Sequence, residues 1–301
     1  QLGFLSLASI GDFEKNIIKP HEKIYESRKI ERADQMLNIN TQIGPIYVSY
    51  PSDDNIKNIL LSIKKNPPTY DFESFDKSIH RLWCVNDKNF IREFTNLAIN
   101  IKHLYIADGH HRIGAMQHIK KINPLIERFM IAAFPSNECK IFDYNRVIKD
   151  LNGLSKDQFI KILSEYFKIL KVDKPHKPSI KNEFGMYHDN QWYTLEFKGS
   201  ISSHNYIDSL DINILNKFCL TQILNIKDVN NDERIRFIAG CHGLGSLEKK
   251  VNENFDSVAF SIFPSEITDV IRVADNSLTM PPKSTWFDPK PLDGLVVYEF
   301  N

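Results

Sequence analysis

The length and charge of the chain exclude several classes of protein. Its 301 residues, of which 42% are hydrophobic and 25% charged, suffice for two domains with buried cores. Lys plus Arg and Asp plus Glu number 38 each, so no net charge draws the chain to nucleic acid or to an anionic membrane. No apolar run approaches the ~20 residues that a membrane-spanning helix needs.

The cysteines and the start of the chain bear on its compartment. Four cysteines are spread along the sequence without a Cys-x-x-Cys pair, which is not the pattern of a disulfide-stabilised secreted domain. No cationic segment followed by an apolar one marks a secretory signal, so we expect a cytoplasmic protein with reduced thiols. The chain starts at Gln1 instead of Met, inside a predicted strand, and we therefore expect that further sequence precedes it.

Strands alternate with helices in the first half of the chain. β-Branched and aromatic runs predict strands, and apolar residues at three- and four-residue spacing predict helices. In chain order the elements are a strand at 2–10, helical residues at 12–38 interrupted at Pro20, a strand at 45–50, a helix at 54–65, a strand at 80–85, a helix at 89–101, a strand at 103–107, a helix to 122 and a strand at 129–134. This alternation favours an α/β layer architecture, with a first domain at 1–150.

A change of pattern near Gly153 predicts a second, smaller α+β domain at 151–301. Ser155 and Gln158 form a capping box that opens a helix to about residue 167, and residues 184–197 form a hairpin. The remaining elements are a helix from a cap at Asp211 to 224, strands at 235–239 and 258–263, a helix from a cap at Ser265 to 273, an irregular segment at 280–290 and a final strand at 294–300.

The sharpest local signal is the turn between the strand at 103–107 and the following helix. Its residues are Asp108, Gly109, His110, His111 and Arg112. The start of a helix presents unpaired backbone N–H groups and the positive end of the helix dipole, which together bind anions such as phosphate. Gly109 permits close backbone approach, Arg112 offers a planar fork to phosphate or carboxylate oxygens, and the two histidines can donate hydrogen bonds or shuttle a proton.

Two other interpretations of this turn stay open. Asp108 could cap the helix and take the N–H groups that a phosphate would use, with Arg112 paired to a nearby acid. Asp108 could instead hold Mg²⁺ beside a phosphate, since Mg²⁺ prefers one or two carboxylates plus phosphate oxygens. Zinc is disfavoured, because adjacent helical residues point about 100° apart and His111 and His118 lie about 10.5 Å apart along a helix.

Two further segments are candidates for chemistry. His21 and Glu22 follow Pro20 at a predicted helix start, where the dipole would stabilise the carboxylate, or where Glu22 could act as a general base. Arg28 and Arg32 follow on one helical face, where solvation is the simpler role.

The second segment is an unusual proline-rich loop at 280–290, which contains Lys283, Ser284 and Thr285. It lacks the glycines of a phosphate-binding P-loop and could be only a rigid strap. A Cys241-His242 nucleophile is disfavoured because no third group supports it.

The turn and this loop together resemble the bacterial and archaeal domain-of-unknown-function family 1015. The resemblance rests on the segments 106–112 and 280–290, and its smaller supporting matches are His21-Glu22, Arg32, Gly44-Pro45, 80–83 and Ala274-Asp275. It extends in the same order over the whole chain, and members of that family usually carry a further segment before the position of Gln1. The Asp-Gly-His-His-Arg turn is also similar to the phosphate-binding turn of the ParB, sulfiredoxin and free-serine-kinase superfamily.

The resemblance implies a fold and a set of roles. It implies a ParB/sulfiredoxin-like mixed-sheet domain at 1–150 and an α+β domain at 151–301. Glu22 would be the base, with His111 and Asp108 as further catalytic residues, and a sulfinic-acid reductase is disfavoured because His110 stands where sulfiredoxin has its cysteine. The phosphates of a nucleotide, ATP or ADP with Mg²⁺ on Asp108, would be held by Gly109, His110, His111 and Arg112. The substrate would be held by His21, Arg32, Arg81, Lys283, Ser284 and Thr285.

The resulting functional hypothesis is a phosphotransferase. It would move a phosphoryl group to or from a small hydroxyl substrate such as free serine, as a kinase or as a phosphoserine phosphatase. The alternatives are a nucleotide-dependent switch of ParB type and a protein that only binds a phosphometabolite. We expect a small phosphorylated molecule as partner, no membrane, and no nucleic acid because no basic helix-turn-helix is visible. The sequence leaves the oligomeric state open, with a homodimer among the possibilities.

Overall fold

The chain folds into two compact units. The structure is a computed structural model that describes residues 1–201, 205–253 and 258–300. Unit 1 contains Gln1–Cys139 and Pro289–Asn301, and unit 2 contains Lys140–Asp288. This division differs from the predicted boundary near 150, because the strands that follow Cys139 pair inside unit 2 and the last residues return to unit 1. The mixed α/β class predicted from the sequence is confirmed.

Unit 1 is built on a five-stranded mixed sheet. Its elements are β1 (Phe4–Ser9), α1 (Ile10–Glu14), β2 (Ile18–Lys19), α2 (Glu26–Ile39), β3 (Thr41–Gln42), β4 (Ile46–Tyr50), α3 (Asp54–Lys64), β5 (Tyr70–Glu73), β6 (Ile79–Leu82), α4 (Lys88–Ala98), β7 (Leu104–Asp108), α5 (His110–Ile122), β8 (Arg128–Pro135) and, near the chain end, β17 (Tyr298–Glu299). The sheet order is β1-β8-β4-β7-β2. Two pairs in it, β4 with β8 and β2 with β7, are parallel.

The core of unit 1 lies between this sheet and helices α2 and α5. All five residues of β4 are buried, as expected for a central strand covered on both faces. Ile113 and Met116 of α5, Ala33 of α2 and Phe300 from the chain end join the same apolar cluster. β17 pairs with β3, so the last residues are attached to unit 1 by backbone hydrogen bonds as well as by the packing of the Phe300 side chain.

Unit 2 contains a six-stranded antiparallel sheet. Its elements are β9 (Lys140–Phe142), β10 (Tyr144–Ile148), α6 (Lys156–Tyr166), β11 (Phe167–Val172), β12 (Glu183–His188), β13 (Gln191–Phe197), α7 (Asp211–Leu215), β14 (Ile235–Ala239), α8 (Gly245–Asn252), β15 (Val258–Ile262), α9 (Ile267–Asp275) and β16 (Trp286–Asp288). The sheet order is β11-β13-β12-β15-β10-β14. The capping box of α6 and the β12–β13 hairpin are confirmed. None of the helices in the described part of the chain is both long and apolar enough to cross a membrane.

Several local predictions are wrong. Residues 20–22 do not start a helix, because α2 begins only at Glu26. Asp211 does not cap a helix to 224: Leu210 is the cap, α7 ends at Leu215, and a π-helical turn follows. The Asp211 carboxylate instead accepts the backbone N–H of Asn182 at 2.9 Å.

The predicted ends of unit 2 and of the chain also change. The cap of α9 is Glu266 and not Ser265, because the Glu266 carboxylate forms a capping box with Asp269. The segment 280–290 contains β16, which pairs with β9. Of the predicted strand 294–300, only Tyr298–Glu299 pair with a neighbour.

Gln42 fixes the loop that precedes β4. Its side chain is fully buried; Nε2 donates to the carbonyls of Gly44 and Met130 at 2.8 and 2.9 Å, and Oε1 accepts the N–H of Met130 at 2.7 Å. A buried polar group that loses its partner costs about 1–3 kcal/mol, so this amide stabilises unit 1 and positions Gly44.

We expect Gln42→Leu to lower the free energy of unfolding of unit 1 by about 3 kcal/mol, because it leaves three buried backbone groups without partners. Urea unfolding measures the change. Thr41→Val, an exchange at the neighbouring position, is the control and should stay within about 0.5 kcal/mol of the parent. Equal stabilities of the two variants would contradict the role of Gln42.

Candidate functional site

Two parallel strands bring distant segments to one edge of the sheet. β2 pairs with β7 in the register Ile18 with Leu104 and Lys19 with Tyr105. The carboxyl ends of parallel neighbours lie at the same edge, which is where α/β proteins commonly bind ligands. His21 and Glu22 follow β2, and the predicted turn follows β7. The sheet therefore places a carboxylate beside the start of α5.

The start of α5 has the geometry of an anion site. Gly109 is its N-cap, with φ of 99° in the left-handed region that favours glycine, and no side chain caps the helix. The alternative that Asp108 caps α5 is therefore not what the structure shows. The first N–H groups of α5 lack a side-chain acceptor, and they lie at the positive end of a helix of 13 residues.

A pair of buried histidines lies directly beneath this edge. His21 and His110 are 1% and 3% exposed, and their rings meet edge to face with centroids 4.5 Å apart. Burial lowers the pKa of His21 to about 4, against the opposing effects of a hydrogen bond to the Ile106 backbone and the charge of Asp108. Burial also lowers the pKa of His110 well below its ordinary value, and the neighbouring imidazoles of His21 and His111 act in the same direction. Both rings are neutral near pH 7.

In neutral His110 the hydrogen bonding of the ring indicates which nitrogen carries the proton. Its Nε2 accepts the backbone N–H of His21 at 3.3 Å, so the single ring proton is assigned to Nδ1. That nitrogen lies 3.4 Å from Oε2 of Glu22, whose side chain is 45% exposed. The buried ring therefore directs a donor at one oxygen of a solvent-accessible carboxylate, which is the arrangement of a base oriented by a second group.

His111 lies on the other side of the helix start, against α2. Its ring centroid is 5.9 Å from that of Tyr25, the N-cap residue of α2. Burial, then the charges of Arg28 and Arg32, lower the pKa of His111. His111 can therefore contribute a hydrogen bond near neutral pH, but not a positive charge. Arg32 itself is exposed and donates to Gln35 at 3.0 Å.

The residues that supply positive charge are Arg112 and Lys290. Arg112 donates to the carbonyl of Pro45 at 2.5 Å, lies 3.2 Å from Asp293 and approaches Asp108 at 3.9 Å. Lys290 lies 2.6 Å from Oδ1 of Asp108. A side chain at Gly44 would overlap the ends of the Asp293 and Arg112 side chains, which would have to move to admit it.

Asp108 does not fit the predicted Mg²⁺ site. One of its oxygens is paired with the ammonium of Lys290 and the other faces the guanidinium of Arg112, so a divalent cation would enter between two positive charges. Within residues 1–201, 205–253 and 258–300, no three His, Cys, Asp or Glu side chains are grouped to hold a metal ion.

The other predicted substrate residues have local partners. Arg81 pairs with Asp71 at 3.0 Å across the β5–β6 hairpin. Lys283, Ser284 and Thr285 belong to unit 2, where the ammonium of Lys283 lies 5.7 Å from the centre of the Tyr144 ring. The buried Ser284 hydroxyl donates to the carbonyl of Pro281, and Thr285 is partly buried. Their role as a substrate clamp stays a prediction.

Lys290 and Asp293 are the residues that the sequence did not assign to the turn. Lys290 closes the proline-rich motif, so the motif itself was the one available signal. Nothing in its spacing connects it with Asp108, which lies 182 residues earlier. The pairing exists because Pro289–Asn301 folds back onto unit 1.

Comparison with known proteins gives a family match and distant structural likenesses. The model of the family described as "Protein of unknown function (DUF1015)" matches residues 1–213, a range that contains Glu22 and the turn but not the segment 280–290. No curated protein matches the chain.

Three solved structures are similar along most of their lengths. A mutant free serine kinase in complex with AMP is 12% identical, with 97% of this chain and 92% of that chain covered and a TM-score of 0.49. C-terminally truncated SbnI from Staphylococcus aureus is 10% identical, with 97% and 85% covered and a TM-score of 0.49. A conserved hypothetical protein from Pyrococcus furiosus is 11% identical, with 100% and 97% covered and a TM-score of 0.45. Likenesses this distant assign neither a ligand nor an activity to this chain.

The buried histidines predict a pH-dependent stability. Between pH 6.5 and about 4, the unfolded chain takes up a proton on His21 that the folded protein does not hold, so the free energy of unfolding falls as the pH is lowered through this window. For His21 alone the loss between pH 7 and pH 5 is about 2 kcal/mol. We expect His21→Gln to remove this part of the pH dependence in urea unfolding.

The exposed His242→Gln is the control, since it removes a histidine without opening a buried site. An unfolding free energy that falls between pH 7 and pH 5 as steeply in His21→Gln as in the parent would contradict the neutral buried pair.

Proposed function

We propose that this chain, which belongs to the family described as "Protein of unknown function (DUF1015)", is a phosphotransferase that moves a phosphoryl group between a nucleotide and a small hydroxyl substrate. The observation that carries the proposal is the meeting, at one sheet edge, of an uncapped helix start and an accessible carboxylate oriented by a neutral histidine. Phosphoryl transfer needs positioning and positive charge more than covalent help from the protein.

The phosphate would bind at the first turn of α5. The backbone N–H groups after Gly109 would donate to phosphate oxygens, and His111 would add a neutral donor. Arg112 would provide charge from the side facing Asp108, although part of its guanidinium is already bound to Pro45. ATP and ADP are both suitable donors for such a site, because each ends in a phosphate that the helix start can hold.

Glu22 would act as the general base. As the substrate hydroxyl oxygen forms its bond to phosphorus, the bond from phosphorus to the nucleotide oxygen breaks, and the hydroxyl proton passes to Glu22. His110 would keep the carboxylate oriented through its Nδ1–H. The products are the phosphorylated substrate and the nucleotide shortened by one phosphoryl group. With water as the acceptor, the same groups would hydrolyse a phosphoester.

Free serine is the first substrate to test, because the sequence resembles the superfamily that contains free-serine kinases. Its hydroxyl is small enough to approach a carboxylate at a sheet edge, and phosphoserine is the corresponding substrate for the reverse reaction. A protein that only binds a phosphometabolite would hold the same ligands without turnover, so binding and turnover are tested separately.

We expect ADP, ATP and phosphoserine to raise the melting temperature of the protein, and Gly109→Ala to lower their affinity about tenfold, because alanine rarely adopts the φ of 99° at this position and the strain displaces the backbone N–H groups that would hold the phosphate. Gly153→Ala is the matched control: it introduces the same methyl at a glycine with φ of 77° and open space around it, so it shares the backbone strain but not the site.

Calorimetric titration of both variants gives the affinities. The proposal fails if no phosphate compound binds the parent protein, and a stabilisation by CTP only in the presence of DNA would favour a ParB-type switch.

We expect Glu22→Gln to lower kcat for serine phosphorylation or phosphoserine hydrolysis by about 10²–10⁴ while nucleotide affinity stays within threefold, because the amide cannot accept the proton. The measurement is turnover of serine with ATP or ADP and of phosphoserine with water. Glu31→Gln, an identical exchange on the exposed face of α2, is the control. Turnover by Glu22→Gln equal to that of the parent would remove Glu22 from the mechanism.

A further inference from the structure

We propose that Lys290 is the cation that stabilises the bound phosphate, and that Asp108 is the positioning residue that holds its ammonium at the start of α5. This assignment rests on the proposed function and deepens it. It gives Asp108 a different role from the Mg²⁺ ligand that the sequence suggested, and it brings into the site a residue from the last segment of the chain.

The first argument is the position of the ammonium. Lys290 Nζ lies 2.6 Å from Oδ1 of Asp108, and Asp108 immediately precedes Gly109, the N-cap of α5. The ammonium is therefore held by the residue that immediately precedes the helix start. The Lys290 side chain is 42% exposed and that of Asp108 33% exposed, so a ligand from solvent can reach both.

The second argument is electrostatic. The start of a helix stabilises negative groups, so a cation placed there is in an unfavourable position. At the start of α5 two cations contact two carboxylates: Asp108 pairs with Lys290 and lies 3.9 Å from Arg112, and Asp293 lies 3.2 Å from Arg112. A phosphate bound at the helix start would be stabilised by the helix dipole and by the ammonium of Lys290. Lysine binds phosphate as a flexible point charge, as it does in P-loop proteins.

The third argument separates the roles of the two cations. Arg112 is committed to the fold, because the same NH1 nitrogen contacts the Pro45 carbonyl and Asp293 while Gly44 packs against it. The Lys290 side chain is 42% exposed, and its ammonium is carried on a flexible four-carbon stem that can present it to a phosphate beside Asp108.

The segment that carries Lys290 is firmly attached to unit 1. The N–H of Gly294 donates to the carbonyl of Ile43 at 2.9 Å, Tyr298 and Glu299 pair with β3, and Phe300 is 5% exposed within the core. The backbone near Lys290 is therefore held close to the turn, which limits the conformational entropy lost when the ammonium contacts a ligand.

The test measures the binding of inorganic phosphate and phosphoserine by isothermal titration calorimetry, with EDTA and with added Mg²⁺. We expect Lys290→Met to lower the affinity for both ligands about 10- to 100-fold, because a charged hydrogen bond to the phosphate is lost. We also expect the dissociation constant to depend less on salt concentration. Lys290→Arg should retain most of the affinity. Lys120→Met is the matched control: it removes an ion pair with Glu14, at 2.9 Å, from the other end of α5.

Asp108→Asn identifies the positioning role. If Asp108 acts through Lys290, Asp108→Asn weakens binding less than Lys290→Met does, and the double variant binds no more weakly than Lys290→Met alone. If Asp108 instead held Mg²⁺, Asp108→Asn would abolish an Mg²⁺-dependent gain in affinity that Lys290→Met retains, and that result would overturn the assignment.

The failures of the two proposals are distinguishable. The same titrations include ADP and ATP, and a parent protein that binds none of phosphate, phosphoserine, ADP and ATP overturns the proposed function and the role of Lys290 with it. Binding by the parent that is unchanged in Lys290→Met overturns the role of Lys290 alone. Melting temperatures of all variants show that they are folded, and Lys290→Arg supplies the folded variant if Lys290→Met is unstable.

Discussion

The parallel pairing of β2 with β7 is the constraint on which the candidate site depends. A strand of only two residues, Ile18–Lys19, is the outermost strand of the sheet of unit 1, and it runs parallel to β7. Because both strands end at one edge, Glu22 meets His110, which is far from it along the chain. Were β2 antiparallel, its carboxyl end would lie at the opposite edge, and Glu22 would not lie beside the turn.

Around that edge the structure separates neutral groups from charged ones. His21 and His110 are buried and neutral, and they fill the space beneath the turn with directed hydrogen bonds. The charged groups, Glu22, Asp108, Arg112 and Lys290, keep contact with solvent. Burial of the second set would demand compensation for several desolvated charges, whereas the accessible edge lets them exchange partners with a ligand.

The return of the chain end to unit 1 completes this arrangement. Pro289–Asn301 adds a strand beside β3, an aromatic side chain to the core and two charged residues to the turn. One segment thus joins the stability of unit 1 to the electrostatics of its candidate site. Gln42 works in the same direction, because it fixes the loop whose Gly44 leaves space for Arg112 and Asp293.

The sequence by itself determined the features that depend on neighbours a few residues apart. The α6 capping box, the β12–β13 hairpin and the glycine at the start of α5 were predictable because each is set by local hydrogen bonds and backbone conformation. Only the tertiary structure decided which groups meet at the turn. Lys290 pairs with Asp108 across 182 residues, and His110 meets His21 across 89. Such contacts depend on the order of the strands in the sheet and on the return of the chain end to unit 1. Neither can be read from the charges or the spacing of residues along the sequence.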